Sequence, residues 1–573
     1  MKKSIIALTL TAAMILPLLG GCGGQNQSAS TTPTPSTQPQ GEQSESTGLS
    51  ADADTFPIVS EPVTLSVLAL RARVEVEDWE TNKVTQYWQD KTGVKFEWDT
   101  VTDADASKQK LSVSMASGDL PDIIISLNNA VTVDQAVAYG SQGLIIPLNS
   151  LVEKYGTNTQ KLFQADSMVE PGITAPDGNM YFLPSYTSNA SAHTSLLQRA
   201  LINTTWLNNL GLSMPTTTEE YYEVLKAFQE NDANGNGNVS DEIPLVTFKS
   251  NYTGMDVFLM NSFVYNSGKL YNWLSVENGT VTPAYTQEGW REGLSYMRKL
   301  YSEGLADKEI FLTKNDQIKM YTADEKGNRV GSIISYSYSS FIDLSSSSSV
   351  VDEFEFIPPL AGPTGIQQSP YVESWVETSF LITSSCETPE VAFRVGDAMM
   401  FDALSDPTLE ALNGVYGPEG EGWAKAESGE VGLDGTTPAK YKWLFTFGTP
   451  NNLNWHEYGP LVRRSDWKLV MAADTSTWNQ EAVLYKAAMN IYKPYATAKT
   501  IPATLMFETD LVAEISQLKE TLNTYVEESM SKFVTGAASV ETDWDTYLSE
   551  MDKIGLQKYI QLYQEAYDRQ FGN

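Results

Sequence analysis

Between residues 63 and 125 the hydrophobic period of the chain switches repeatedly between two residues and one helical turn, and this succession restricts the fold more than any other feature. Val63, Leu65 and Val67 alternate with polar or small neighbours, the period of a strand. Val84, Tyr87 and Trp88 then recur on one helix face, and Gly93 supplies a stop. Val94, Phe96 and Trp98 return to alternation, Leu111 and Met115 share a second helix face, and Ile123-Ile124-Ile125 is a short apolar strand. Strand, helix, strand, helix, strand predicts an α/β lobe with a largely parallel sheet, because parallel neighbours need a crossover that a helix supplies compactly.

Later segments carry their own boundaries. Thr217 with Glu220 makes a capping box for a helix in which Tyr221, Val224, Leu225 and Phe228 share a face. Near the C-terminus Leu556, Tyr559, Ile560, Tyr563 and Tyr567 fall on one helix side, so the chain is expected to end packed. No repeat occurs at the periods of solenoids or propellers.

The N-terminus reads as a targeting segment. Lys2 and Lys3 precede an apolar run from Ile5 to Leu19 that ends in Leu19-Gly20-Gly21-Cys22. The run is too short and wrongly flanked for a membrane span, and small residues before a cysteine suit a lipoprotein signal peptidase. Residues 1–21 are therefore expected to be a signal peptide, with Cys22 the lipidated first residue of the mature chain. Residues 22–55, rich in Ser, Thr, Gln, Pro and Gly, are expected to be a disordered tether. The remainder is long enough for two or more domains.

Charge and rare residues exclude several classes. A formal charge of −34 argues against nucleic acid or anionic lipid as partners. With Cys22 lipidated, Cys386 is alone and no internal disulfide forms. The only histidines, His193 and His456, are too few and too far apart for the common zinc motifs.

Motifs spread over most of the body carry a family resemblance. They include Ser117-Gly118-Asp119-Leu120-Pro121-Asp122, Asp177-Gly178-Asn179-Met180-Tyr181, Trp206-Leu207-Asn208-Asn209-Leu210-Gly211-Leu212, Asp232-Ala233-Asn234-Gly235-Asn236-Gly237, Tyr416-Gly417-Pro418-Glu419-Gly420 and Tyr563-Gln564-Glu565-Ala566-Tyr567. In this order they resemble the large lipoprotein members of extracellular solute-binding protein family 1, the sugar receptors of carbohydrate ABC importers. The resemblance implies an α/β, two-lobed periplasmic-binding-protein-like fold of type II, with the ligand in a cleft between hinged lobes. On that plan residues 56–190 open lobe 1, 191–335 open lobe 2, 336–400 return to lobe 1, and 401–573 form a helical part mainly of lobe 2. It implies a non-enzymatic monomer on the extracellular face of the cell membrane, attached through its N-terminal lipid alone. Its partners are then an oligosaccharide and the transmembrane permease subunits that receive it.

A sugar ring has an apolar C–H face and a polar rim, so its site needs aromatic planes with amides or carboxylates beside them. Asn128 and Asn129, just past the end of the Ile123-Ile124-Ile125 strand, are placed to bond a hydroxyl; an ordinary asparagine turn is the other reading. Around the cleft the resemblance implies Tyr186, Tyr336, Tyr338, Glu373, Trp375 and Trp455, with Trp375 and Trp455 favoured for their polar neighbours. Asp232, Asn234 and Asn236 stand at positions 1, 3 and 5 of a Ca²⁺ loop with Gly237 at 6. Asn238 and Ser240 supply further oxygens, and Glu242 or Asp241, or a carboxylate from elsewhere, is expected to replace the one that Ile243 cannot give at position 12. A structural Ca²⁺ and a metal-free turn are both compatible with this loop.

No Gly-x-Ser-x-Gly elbow, phosphate loop or dinucleotide fingerprint stands in a supporting context. A secreted glycoside hydrolase, which needs only two carboxylates, and a surface adhesion lipoprotein remain the alternatives.

Overall fold

The computed structural model describes residues 48–572 except 51, 189–192, 251, 345–348, 447 and 474–477. The expected signal peptide, Cys22 and the expected tether up to residue 47 lie outside the described residues.

The strand Val63–Leu70 lies parallel between Val94–Val101 and Ile123–Ser126, as the alternation predicts. The crossover helices are Lys83–Thr92 and Ala104–Ser117. Side chains of Asn82 and Asp103 cap their first turns, and Gly93 and Gly118 end them in left-handed backbone at φ 76° and 74°, a conformation that needs no Cβ. Ser374–Ile382 then enters antiparallel between Ile123–Ser126 and Leu183–Ser188, and Val462–Arg463 completes six strands. The sheet is thus parallel at both ends, and its only antiparallel pairings are the two made by Ser374–Ile382, which enters from the second sheet's side of the chain.

A second sheet, ordered Phe354–Ile357, Ala200–Asn203, Val330–Ile334, Ile243–Thr247, has its own apolar core. Both bonds of the Thr217–Glu220 capping box are formed on the helix Thr218–Glu230, whose Tyr221, Val224, Leu225 and Phe228 are buried. The C-terminal helix Leu556–Phe571 buries Leu556, Tyr559 and Tyr563 against the same core, with Ile560 and Tyr567 at its margin.

Three expected boundaries move. Phe354–Ile357 pairs with Ala200–Asn203, so the chain returns to the first sheet after residue 357 and not at 336. The region from Ala403 to Tyr485 is not simply helical: Tyr416, Trp423, Tyr441 and Trp467 build a small third core around the hairpin Trp423–Lys425 and Tyr441–Trp443. Residues 48–55 are not all tether. The buried Arg394 guanidinium donates to the carbonyls of Ser50, Asp52, Ala53 and Thr55 at 2.7–3.0 Å, so a polar segment without a core of its own is held by hydrogen bonds. Among the described residues no helix is long and apolar enough to cross a membrane.

Candidate functional site

The side chain that best locates a site is Glu377, halfway along Ser374–Ile382. Phe380, Leu381 and Ile382 pair with Ile125, Ile124 and Ile123, so the earlier residues run past the C-terminal end of that parallel strand, where α/β sheets hold their ligands. Glu377 faces Ser185 in register and is only 6% exposed. Taking a carboxylate out of water is costly unless charges or donors replace the solvent. Burial raises the Glu377 pKa, while a hydrogen bond from Trp375 and the charges of Arg463, Arg73 and Arg71 oppose the rise.

Those groups come from both sides of the molecule. Arg71 and Arg73 leave the end of Val63–Leu70, and Arg463 lies on the edge strand of the same sheet. On the other side, burial first and then the Glu377 charge push the Tyr252 pKa up to about 12, and the buried Tyr271 of the second core is raised by burial, then by Tyr252 and Tyr265, and last by Glu377. Trp375 pairs through its backbone with Thr187 of the first sheet yet packs against the second core. Arginines, a carboxylate and aromatic rings therefore gather where the two lobes approach, the groups that a hydroxylated ring needs.

The expected site residues divide between this place and the cores. Asn128 and Asn129 are exposed, both in left-handed backbone at φ 51° and 53°, and the Asn128 carbonyl accepts from the Arg71 guanidinium at 3.5 Å. Tyr336 is half-buried, edge-on to Tyr252 with centroids 5.9 Å apart. Glu373 is exposed just before the strand that carries Trp375. Three other expected residues are buried. The Tyr186 hydroxyl donates to Asp166 at 2.8 Å within the first core. Tyr338 is buried among Phe341, Phe356 and Trp478, its hydroxyl donating to the Phe354 carbonyl at 2.9 Å. Trp455 is 3% exposed and donates its indole N–H to Thr85 at 2.9 Å. Their polar atoms are hydrogen-bonded within the protein, as buried polar groups generally are.

The 232–242 loop follows the helix Thr218–Glu230 and curls around oxygen atoms. Asp232 accepts from the backbone N–H of Asn236 and Gly237 at 3.0 and 2.8 Å, and Asn234 accepts from Asn236 at 3.0 Å. Asn236 and Asn238 accept from the N–H two residues on, at Asn238 and Ser240. Asp241, which sequence reasoning left as a substitute, takes the Asn236 amide at 2.9 Å. Glu242 turns inward: one oxygen accepts from Ala233 at 3.0 Å, the other is buried without a partner among the described residues, and burial raises its pKa. A buried carboxylate oxygen beside amide oxygens and Asp232 fits a hard cation. Among the described residues no three His, Cys, Asp or Glu side chains converge as a ready metal set.

Two α/β lobes, each with its own sheet and core and meeting at a polar, aromatic-lined junction, define a two-lobed binding protein. Residues 83–393 match the bacterial extracellular solute-binding proteins, and the chain belongs to that family. The fructooligosaccharide ABC transporter substrate-binding protein FusA of Streptococcus pneumoniae is 27% identical over 100% of this chain and 98% of its own. A solved structure of S. pneumoniae FusA with kestose has a TM-score of 0.70 at 24% identity, covering 88% of this chain and 99% of that one; its EF-hand mutant with fructo-nystose gives 0.67 at 23% over the same shares. An HMO-binding solute-binding protein from Bifidobacterium longum infantis gives a TM-score of 0.72 at 20% identity, covering 88% and 99% of the two chains.

Proposed function

We propose that this chain is the lipid-anchored, oligosaccharide-capturing subunit of an ABC importer, held on the extracellular face of the membrane through Cys22. The observation that carries the reading is the charged and aromatic set around Glu377 between two separately cored lobes. A neutral sugar entering there donates hydroxyls to Glu377 and the Asn128 and Asn129 side-chain carbonyls, accepts from Arg73 and Arg463, and stacks a ring face on Trp375 or Tyr336. Glu373 stands at the rim. Because these groups belong to both lobes, the ligand favours a closed arrangement, which the permease subunits then recognise. No step of this cycle breaks a sugar bond, and the receptor acts as a monomer.

Fructooligosaccharides are the first ligands to test, since a relative that aligns over the whole chain is named for them. In the 232–242 loop Asp232, Asn234, Asn236, Asn238, Ser240 and Glu242 hold a structural Ca²⁺ beside the second lobe, where hard oxygen donors neutralise the ion and fix the loop.

Thermal melting of the chain from Gly23 onward, against a panel of neutral oligosaccharides, tests the reading. A ligand at 100 times its Kd adds about 2.7 kcal/mol of stability and raises Tm. An oligosaccharide that does so and is recovered intact supports a receptor; recovered cleaved, it makes the protein a glycoside hydrolase. A panel that leaves Tm unchanged removes oligosaccharide capture.

A further inference from the structure

A groove of about 550 Å³ opens on the first lobe where the turn after Val63–Leu70 passes the edge strand Val94–Val101. Arg73, Val74, Asp78, Trp79, Glu80 and Trp98 line it. That volume falls in the range of small-ligand sites, roughly 300–1,000 Å³. Its floor is indole: the Trp79 and Trp98 rings lie 5.0 Å apart, and Trp455 backs them at 5.9 and 5.3 Å. Trp98 stands on a sheet edge, where charged side chains are the usual cover, and Val74 beside it is 71% exposed.

Two donors in this groove lack an acceptor among the described residues. The Trp98 indole N–H and the Arg73 Nε are both buried without a hydrogen-bond partner. Such groups are rare in native structures and point to a ligand or a water that completes them. Acceptors stand fixed nearby. Glu80 takes the Trp98 backbone N–H at 3.1 Å, and Asp78 takes the Thr81 hydroxyl at 2.8 Å. Aromatic planes, free donors and ionised acceptors in one concave place match the alternation of C–H faces and hydroxyls on a neutral sugar, and the acidic rim disfavours a uronic acid.

Arg73 links this groove to the cleft, since it lines the one and its charge opposes the burial-driven rise of the Glu377 pKa in the other. We infer that the Trp79–Trp98 groove is an outer sugar subsite, which receives the rings of a neutral oligosaccharide too long for the interlobe cleft. The inference rests on the oligosaccharide reading and adds a preference for length. Trp98 is then a specificity-determining residue: its ring stacks on the outer sugar and its N–H bonds a hydroxyl.

Calorimetric Kd values for two length series test this: inulin-type fructans from kestose upward, and β-1,4-linked gluco-oligosaccharides of matching length. Wild-type affinity is expected to rise with length in the series that binds, and Trp98→Ala to weaken the longest ligand about tenfold, the order of one lost aromatic contact, while sparing the shortest. Trp98→Phe, which keeps a ring in the cluster and removes the N–H, falls between the two and carries the comparison if Trp98→Ala does not fold. Affinity independent of length, a loss equal at every length, or Trp98 variants that bind like wild type would each overturn the subsite and leave the receptor reading standing. No binding by the wild type in either series overturns both.

Discussion

Glu457 shows how strongly one buried charge is tied into this molecule. It accepts from Arg463 at 2.7 Å and from the Tyr416 hydroxyl at 2.9 Å, with the Lys468 ammonium at 3.8 Å. Burial pushes its pKa up, but Lys468 and Arg463, with the hydrogen bonds from Tyr416 and Arg463, outweigh it and bring the group down to about 2. A carboxylate whose pKa is lower in the folded state contributes stability above its unfolded value, near 4.3 for glutamate, and that contribution fades as the pH falls through the folded value. Glu457→Gln is therefore expected to cost on the order of 2–3 kcal/mol at pH 7 in urea titrations, with the gap to wild type narrowing steadily from pH 5 towards pH 2. A gap that stays constant with pH contradicts this. The difference between the two proteins is the quantity to follow, because Glu377, Asp256 and Asp397 have pKa values raised first by burial and drift the opposite way.

At the scale of elements, the 232–242 loop yields a prediction independent of any sugar. Ca²⁺ is expected to raise Tm, a chelator to reverse the rise, and Asp232→Ala to abolish the response while also lowering the metal-free Tm through the lost bonds from Asn236 and Gly237. Saturation at 100 times Kd corresponds to about 2.7 kcal/mol. Identical melting with Ca²⁺ and with chelator makes the loop a metal-free turn. This loop was legible in the sequence because its oxygens alternate along a local run, as were the helix Thr218–Glu230 through its capping box and the first three strands through their period. The cleft was far less legible. Tyr186, Tyr338 and Trp455 have the composition of sugar platforms, but whether an aromatic ring faces a cleft or a core depends on contacts such as Tyr338 with Phe354, which sequence spacing does not encode. Glu377 left a weaker trace that went unread, a carboxylate leading directly into Thr378-Ser379-Phe380-Leu381-Ile382, where an apolar strand has no ordinary use for a charge. Arg71, Arg73 and Tyr252 left none, since they reach Glu377 from segments far apart in the chain.

Over the whole molecule, stability and binding pull in opposite directions at Glu377. The chain passes from the first sheet to the second between Ser188 and Ala200, returns between Ile357 and Ser374, and leaves the first sheet again after Arg463, so several connections join the lobes and none of them fixes the cleft alone. A buried carboxylate at that junction is unfavourable to the unliganded protein by desolvation, and removing its charge relieves the cost, although the facing arginines recover part of it. The same charge is what a sugar hydroxyl bonds best, worth roughly 1.5–3 kcal/mol for a hydrogen bond to a charged group. Glu377→Gln is thus expected to leave the unliganded Tm equal or higher while weakening oligosaccharide affinity by about tenfold or more. Small-angle scattering extends the comparison: the ligand concentration needed to compact the molecule should rise by the same factor as Kd, because closure is driven only by the ligand's preference for the closed state. A variant that loses stability without losing affinity would make Glu377 a structural charge and move the ligand away from the lobe junction.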